Sequence, residues 1–247
     1  MIPFLTLLRI AWRSLFIQAG FSPEAMQSLG LLYVLEPAWP RLYPDENARR
    51  EAVKRHLSPF NTHPYAAAAL VGGILFHEVK VARGEGTVED VVRFKQTLMG
   101  PLAALGDGFY WLSLRPAAGA LSAVLVPVIG PWSALVFLAL YNVVHLATRA
   151  WLFATGYREG AGVVARLATL RVPMWSTRLR SIAAACAAGI GVWFASWFGT
   201  LGGAGLAPGF VCLALGVLGV VALERKFPPL LLLYASAAVA TLAGALL

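Results

Sequence analysis

Two short polar segments interrupt the apolar sequence. Each of them includes or adjoins a proline that can start a helix. The first segment is Asn61-Thr62-His63, directly before Pro64. A helix that begins at a proline exposes unpaired N–H groups and the positive end of its dipole. Sugar hydroxyls and phosphate oxygens both suit such a place. The alternative is that Asn61 and Thr62 only cap the helix, and the sequence leaves both interpretations open.

The second segment repeats this arrangement with a carboxylate. Gly100-Pro101 is expected to break or start a helix, and Gly106 precedes Asp107. An ionisable side chain within an apolar segment is costly and is by default a candidate for a functional site. A carboxylate accepts hydrogen bonds from sugar hydroxyls. The alternative roles of Asp107 are to cap a broken helix or to pair with Arg115.

Two further charged residues stand beside these segments. Glu78 ends the first apolar run, where it either lines a pathway or lies at the membrane interface, and we favour the interface. Lys95 precedes the second proline and is a possible partner of Asp107 or Glu78. We therefore treat Glu78 and Lys95 as pathway or pairing residues rather than as direct ligands.

Other kinds of chemistry have no visible residues in this sequence. The four histidines lack the spacing of metal ligands, no glycine-rich loop matches a nucleotide-binding motif, and no nucleophile stands beside a base. Cys186 and Cys212 lie in apolar runs and are interpreted as small buried hydrophobic residues. We predict no catalytic residue, no metal and no cofactor on this chain.

Composition places the two segments in a membrane protein. Of the 247 residues, 59% are hydrophobic and 13% are charged, whereas a soluble domain has about 25% charged residues. The net charge is +8. In so apolar a chain this excess of lysine and arginine is expected to face anionic lipid rather than nucleic acid. We predict an all-α integral membrane protein that contacts membrane lipid and binds no nucleic acid.

The chain divides into regions of different character. Residues 1–59 read as an amphipathic and basic interfacial region, in which 2–19 suit a helix lying on the membrane surface. The charged stretch 41–56 is either a partner-docking surface or a solvated helix face. Residues 60–157 form a core membrane domain with broken helices, because 64–76 provide only 13 apolar positions and a span needs about 20.

The remaining chain is predicted to be simpler. Residues 158–181 read as a basic cytoplasmic loop, and 182–247 hold the C-terminal transmembrane helices. The candidate spans are 182–198, 206–223 and 227–247. The fold expected is thus interfacial helices, re-entrant or broken half-helices in the middle, and about three transmembrane helices at the C-terminus. Paired interrupted segments such as those around Pro64 and Pro101 are the usual indication of a transporter binding site.

Several co-linear motifs between about residues 9 and 165 give the chain a family resemblance. They are Met26-Gln27 with Gly30, Arg41-Leu42-Tyr43-Pro44, Lys54-Arg55-His56-Leu57, Phe60-Asn61-Thr62-His63-Pro64, Leu98-Met99-Gly100-Pro101-Leu102-Ala103, Gly106-Asp107, Phe109-Tyr110-Trp111, Ala147-Thr148-Arg149 and Gly156-Tyr157. Together they resemble the IID membrane subunit of the mannose/fructose/sorbose class of bacterial phosphotransferase systems. Each motif alone is weak, and the ordered set is specific.

The resemblance implies a function and a set of partners. A IID subunit is expected to form a channel with a IIC membrane subunit, in a multi-copy assembly in the bacterial cytoplasmic (inner) membrane, which the chain crosses several times. Soluble IIA and IIB proteins relay phosphate to a mannose-type hexose as it enters. In that scheme IID carries no phosphate itself. Asn61, Thr62, His63 and Asp107 would then contact the sugar, and Pro64, Gly100, Pro101 and Gly106 would shape the site.

The sequence departs from the family pattern at three places, and two of them, Ala25 and the reduced outer segment, support a second hypothesis. Ala25 stands where the family has an arginine, Gly108 follows the aspartate where serine or proline is common, and the outer segment is reduced to 199–205. A structural or regulatory membrane scaffold that keeps the IID fold without transport would tolerate these changes. A self-contained membrane enzyme is a distant third interpretation, because no catalytic set is visible.

Overall fold

The computed structural model of the chain describes residues 2–202, and these residues are predominantly helical. Two isolated β-bridges join loops, but no strand forms in this part of the chain. The predicted all-α class is therefore confirmed for these residues. The candidate spans 206–223 and 227–247 lie outside the described residues. The chain divides into one compact unit, Met1–Ala184, and a second that begins at Ala185.

Four short helices open the first unit. They are α1 (Phe4–Arg13), α2 (Ser28–Leu35), α3 (Trp39–Leu42) and α4 (Glu46–Arg55). Helix α1 buries Ile10 and turns Leu5, Leu8 and Trp12 outward. Helix α4 begins where the Asp45 side chain accepts a hydrogen bond from the Ala48 N–H, which satisfies one of its free amide groups.

The centre of the first unit is α5 (Ala67–Ala82), whose residues are buried without interruption from Ala67 to Leu75. It packs against α8 (Ser133–Glu159) through glycines on both helices. A Cβ at Gly72 would overlap the backbone oxygen of Phe153, and one at Gly156 would overlap that of Ala69. Small residues allow this close approach of two backbones, as in other membrane helix pairs.

Helix α6 (Val88–Gly106) starts at a capping box formed by Thr87 and Asp90. It continues through Pro101 into a π-helix (Asp107–Leu114) and then α7 (Arg115–Ile129). The predicted breaks at Gly100-Pro101 and Gly106-Asp107 were therefore wrong. Local π adjustments re-pair the backbone groups that proline and glycine free, so membrane helices tolerate both residues.

The remaining helices also differ from the prediction. Helix α9 (Val163–Thr169) and helix α10 (Val172–Gly202) occupy most of the predicted loop 158–181 and the first part of the predicted turn at 199–205. Arginine lowers the hydropathy of a segment but is a good helix former. The low hydropathy of residues 158–181 therefore did not indicate a loop. The side of the membrane on which these arginines lie stays a prediction. Cys186, expected to be buried, is half-buried.

Among residues 2–202, one helical stretch meets the requirements of a membrane span by length and composition. Within Val88–Thr169, a window of 18 residues has a mean hydropathy of 2.2, and only 6% of it is buried inside the protein. Its apolar side chains therefore face away from the rest of the described chain. An apolar and outward-facing window is what lipid or a second membrane subunit would cover.

Candidate functional site

The first predicted segment forms an irregular strip leading into α5. Residues 61–63 have no regular structure, Pro64 begins a turn, and the α-helix starts at Ala67 rather than at Pro64. The Ala67 N–H donates to the His63 carbonyl at 2.8 Å. No side chain caps α5, so the capping roles considered for Asn61 and Thr62 are wrong.

Gln27 holds this strip in place from the other side. Its Nε2 donates to the Thr62 carbonyl at 2.7 Å, and its Oε1 accepts from the Thr62 N–H at 3.1 Å. The Gln27 N–H also donates to the Phe60 carbonyl at 2.8 Å. With its backbone bonded at both groups, Thr62 has a fixed position while its side chain remains available.

Aromatic rings surround the end of the strip. We call His63, Tyr65, Tyr110, Trp111 and His145 the His63 cluster. His63 stacks on Tyr110 with ring centres 5.0 Å apart, and Trp111 lies 4.8 Å from it. Tyr65 stacks on His145 at 4.3 Å and meets Tyr110 edge-on at 5.1 Å. These rings come from the loop before α5, from the π-helix and from α8.

The second predicted segment meets the first at this cluster. A Cβ at Gly106 would overlap the His63 side chain, so only glycine allows the two to approach. The next residue, Asp107, is half-buried, and its side chain has no hydrogen bond or ion pair within the described residues. Neither the capping role nor the pairing with Arg115 is present. Asn61 is exposed, whereas Thr62 and His63 are buried.

Three buried polar atoms at this site have no hydrogen-bond partner among the described residues. They are Thr62 Oγ1, His63 Nε2 and His145 Nδ1. Thr62 is 3% exposed and His63 is 2% exposed. A buried polar group without a partner costs about 1–3 kcal/mol, so each such group in a native structure needs a ligand, a water molecule or another explanation.

Polar residues on α8 also support the cluster, although the sequence interpretation assigned them no role. Thr148 bonds the Tyr110 hydroxyl at 2.7 Å, and the hydroxyls of Tyr141 and Tyr65 are 3.3 Å apart. Arg149 is buried and donates to Ser14. The spacing of Tyr141, His145 and Arg149, four residues apart on one helix face, was the signal that could have identified them.

A second polar cluster forms around Glu78. We call Tyr43, Arg55, His56 and Glu78 the Glu78 cluster. The Tyr43 hydroxyl donates to Glu78 Oε2 at 2.6 Å, and His56 Nε2 lies 2.8 Å from Oε1. Arg55 Nε is 3.7 Å from the same oxygen. Glu78 is 0% exposed, so its side chain lies inside the protein, and its depth relative to the membrane interface stays a prediction.

Burial and the carboxylate set the protonation of this cluster. Desolvation, reinforced by the hydrogen bond to Glu78, raises the pKa of Tyr43 well above its ordinary value. Burial lowers the pKa of His56, and it outweighs the opposing effect of Glu78. A neutral His56 ring therefore donates from Nε2 to the carboxylate. Its Nδ1 has no partner among the described residues.

Lys95 joins the same region by another route. Its Nζ donates to Ser58 Oγ at 2.6 Å and to the Arg55 carbonyl at 3.2 Å, and the side chain is buried. No ion pair to Glu78 or Asp107 forms, so the pairing considered for Lys95 is wrong. Within residues 2–202, no group of three or more His, Cys, Asp or Glu side chains is arranged to hold a metal ion.

Proteins of known family are similar to this chain. A family model described as "PTS system mannose/fructose/sorbose family IID component" matches residues 5–194. The mannose-specific EIID component of Escherichia coli (strain K12) is 40% identical over 157 residues, which are 62% of this chain and 54% of that protein. The fructose permease IID component of Bacillus subtilis (strain 168) is 35% identical over 164 residues, 65% of this chain and 58% of that protein. The chain thus spans about half the length of the curated relatives it matches.

Two solved structures share the fold. One is the mannose transporter ManYZ in complex with microcin E492 (MceA), with 26% identity, a TM-score of 0.62 and coverage of 99% of this chain and 97% of that chain. The other is described only as a membrane protein, with 27% identity, a TM-score of 0.80 and coverage of 98% and 97%. The fold described above is therefore that of a membrane protein.

Proposed function

The chain belongs to the mannose/fructose/sorbose family of IID components, as its motifs predicted, and we propose that it forms a sugar channel with a IIC membrane subunit. The sugar is a mannose-type hexose, imported across the bacterial cytoplasmic (inner) membrane and phosphorylated by IIB, which receives phosphate from IIA. This chain takes part as a multi-pass subunit of a multi-copy assembly and accepts no phosphate. The relatives that support the proposal are named for mannose, fructose and sorbose, and the ManYZ neighbour is named a mannose transporter.

The observation that carries the proposed site is the pair of unsatisfied polar atoms at Thr62 and His63. They lie on a strip whose backbone is already fixed by Gln27, and they adjoin the π-helix that presents Asp107. A hydroxyl, an imidazole nitrogen and a carboxylate together offer donors and acceptors for several sugar hydroxyls. Specific small-molecule sites commonly combine such a few polar groups with aromatic walls, as the His63 cluster does.

Thr62→Val tests direct contact with the sugar, because it removes a hydroxyl that bonds nothing in the described protein. We expect the melting temperature to stay equal or rise, since an unsatisfied buried group is removed. The KM of sugar uptake should rise about three- to tenfold, which corresponds to a lost hydrogen bond of about 0.5–1.5 kcal/mol. Uptake is measured in cells that carry all other subunits and lack their own IID.

Thr169→Val is the matched control, because Thr169 is exposed at the end of α9 and bonds only the Arg166 carbonyl. An unchanged KM in Thr62→Val, with normal amounts of protein in the membrane, would remove Thr62 from the site. Asn61→Ala and Asp107→Asn complete the test. If neither variant lowers uptake, the assignment of the strip to the sugar path is wrong.

The closeness of the two segments has a test of its own. Gly106→Ala places a methyl group where the His63 side chain lies, whereas Gly108→Ala meets nothing within 4 Å. We expect uptake to fall about tenfold or more in Gly106→Ala, since small displacements at a site cost large factors, and to stay near wild type in Gly108→Ala. Equal uptake by both variants would show that the position of His63 does not matter for transport.

The scaffold hypothesis predicts a different result for the whole protein. Membranes from cells that lack this chain would then phosphorylate sugar from phosphoenolpyruvate at an undiminished rate. Under the transport proposal that rate falls to background and returns with the wild-type chain. Co-purification of the chain with its IIC subunit, followed by sugar binding to the pair, would locate the effect in the membrane complex.

A further inference from the structure

An apolar cavity of about 260 Å³ lies in the first unit, next to the His63 cluster, with which it shares Tyr110. Its walls come from α6, the π-helix, α8, α9 and the start of α10. The residues that give it its character are Leu105, Phe109, Trp151, Leu167, Leu170 and Trp175. The two hydroxyls in the lining, from Tyr110 and Thr148, bond each other at 2.7 Å. A cavity with so few available hydrogen-bonding groups suits hydrocarbon better than water.

Positive charge stands directly beside this cavity. Arg171 lies in the chain between the lining residues Leu170 and Val172, in the turn between α9 and α10, and is exposed. The Arg178 guanidinium lies over the ring of the lining residue Trp175 at 5.2 Å. Neither arginine pairs with an acid among the described residues, in contrast to Arg166, which is paired with Glu159.

A hydrocarbon chain is narrow enough to enter a cavity of this size. A lipid would also bring its own headgroup to the exposed end, beside the two arginines.

We propose that this cavity binds one acyl chain of an anionic glycerophospholipid, whose phosphate is held by Arg171 and Arg178. Arginine pairs with phosphate through two parallel hydrogen bonds, and apolar walls next to basic residues are the pattern of lipid headgroup sites between membrane helices. An open groove on α10, lined in part by Thr177, Arg178 and Ser181, offers hydroxyls beside the same guanidinium. The inference does not depend on the sugar site.

The charge part is tested with the purified, delipidated chain in detergent. Bound lipid is measured by native mass spectrometry after addition of dioleoyl phosphatidylglycerol or dioleoyl phosphatidylcholine. We expect retention of phosphatidylglycerol over phosphatidylcholine. Arg171→Gln with Arg178→Gln should lower phosphatidylglycerol retention about fivefold or more, since each lost phosphate contact removes a charge-assisted hydrogen bond. Arg50→Gln with Arg93→Gln removes the same charge from exposed positions outside the lining, and should change nothing.

The acyl part is tested by filling the cavity and by shortening the lipid. Leu170 lines the cavity and is 42% exposed, so Leu170→Trp can fill the opening with little strain. Binding of dioleoyl phosphatidylglycerol should fall, while Leu135→Trp at an exposed site on α8 leaves it unchanged. Dihexanoyl phosphatidylglycerol and inorganic phosphate, which lack long chains, should bind much more weakly than the dioleoyl lipid.

Three outcomes would overturn the proposal. They are equal retention of the two dioleoyl lipids, an equal effect of the cavity pair and the control pair of arginine changes, and short-chain binding as strong as long-chain binding. A fourth outcome points to a protein occupant instead. In that case the arginine and Leu170 variants lose IIC co-purification while their lipid binding stays normal.

Discussion

Glu78 is a carboxylate without exposed surface, and its two oxygens are shared among Tyr43, His56 and Arg55. Burying a charge is costly unless its partners satisfy it. The Glu78 cluster meets that condition with one tyrosine hydroxyl, one imidazole and one guanidinium. Because Glu78 belongs to α5 and its partners to the segment before α5, the cluster fixes the interfacial helices against the central one.

Glu78→Gln should therefore destabilise the protein, because the substitution removes the negative charge. The amide still accepts from Tyr43, but Arg55, whose side chain is 11% exposed, loses its counter-charge. Breaking a fully buried pair costs about 3–5 kcal/mol, and we expect a cost toward the lower end of that range. We expect a lower melting temperature in detergent. Glu85→Gln is the control, because Glu85 is exposed and lies 3.9 Å from Arg83. Equal melting temperatures in the two variants would contradict the role given to Glu78.

His56 gives the same cluster a dependence on pH. Burial lowers its pKa below the ordinary value of 6.5, so the unfolded chain binds a proton more readily than the folded one. Its contribution to stability is complete above about pH 6.5 and is lost as the pH falls below that value. The melting temperature should be lower at about pH 5.5 than at about pH 8. The difference should be smaller in His56→Gln than in the wild type. An equal fall in both proteins would exclude His56 as the titrating group.

Among the elements, α5 and α8 are in close backbone contact. Gly72 meets the backbone of Phe153 with no room for a methyl group. Gly72→Ala should push the helices apart and cost about 1–3 kcal/mol of stability. Gly119→Ala, inside α7 with nothing within 4 Å, should be neutral or stabilise by up to about 1 kcal/mol. If the melting temperatures of both variants shift in the same direction, the packing argument is contradicted.

The elements also show what the sequence could predict. Length, hydropathy and the paired prolines indicated a helical membrane protein with a polar strip at Asn61-Thr62-His63, and the strip does lie beside Gly106. The helix breaks expected at Pro101 and Gly106 are absent, because backbone adjustment replaced chain interruption. Helix propensities measured in water assign proline and glycine a free-energy cost within a helix. Membrane helices reduce this cost by local π-helical geometry.

The side chains that complete the clusters could not be predicted from local sequence. Glu78 was expected at the interface because a charge ends an apolar run there. Its partners, Tyr43 and His56, lie more than 20 residues earlier in the chain, and only the fold brings them together. The same is true of Ser14 and Arg149. Single-sequence reasoning gives spacing along an element and contains no information on such distant pairs.

At the scale of the whole molecule, much of the described apolar surface faces outward. Leu5, Leu8 and Trp12 of α1 are each about half exposed or more, and the span-like window within Val88–Thr169 is almost entirely unburied. Contiguous exposed apolar surface on this scale marks a membrane or protein interface. The prediction that α1 lies on the membrane surface follows from its two unlike faces.

Spin labels can test the orientation of α1. Nitroxides are placed singly at Phe4→Cys and Arg9→Cys, which lie about 140° apart around the helix axis, with Cys186 and Cys212 replaced by serine, in the protein reconstituted into vesicles. We expect the label at position 4 to collide more with oxygen, which concentrates in lipid, and the label at position 9 to collide more with a water-soluble nickel complex. This difference follows because the apolar face of an interfacial helix enters the lipid and its charged face does not. Equal accessibility at both positions would place α1 elsewhere.

The π-helix at Asp107–Leu114 has a consequence for how the family can gain and lose residues. A π-turn holds one more residue than an α-turn, so removing Gly108 should leave α6 and α7 on their original faces. Removing a residue such as Gly119 inside α7 would instead rotate everything after it by about 100°. We expect the first deletion to keep a cooperative thermal transition and the second to lose it.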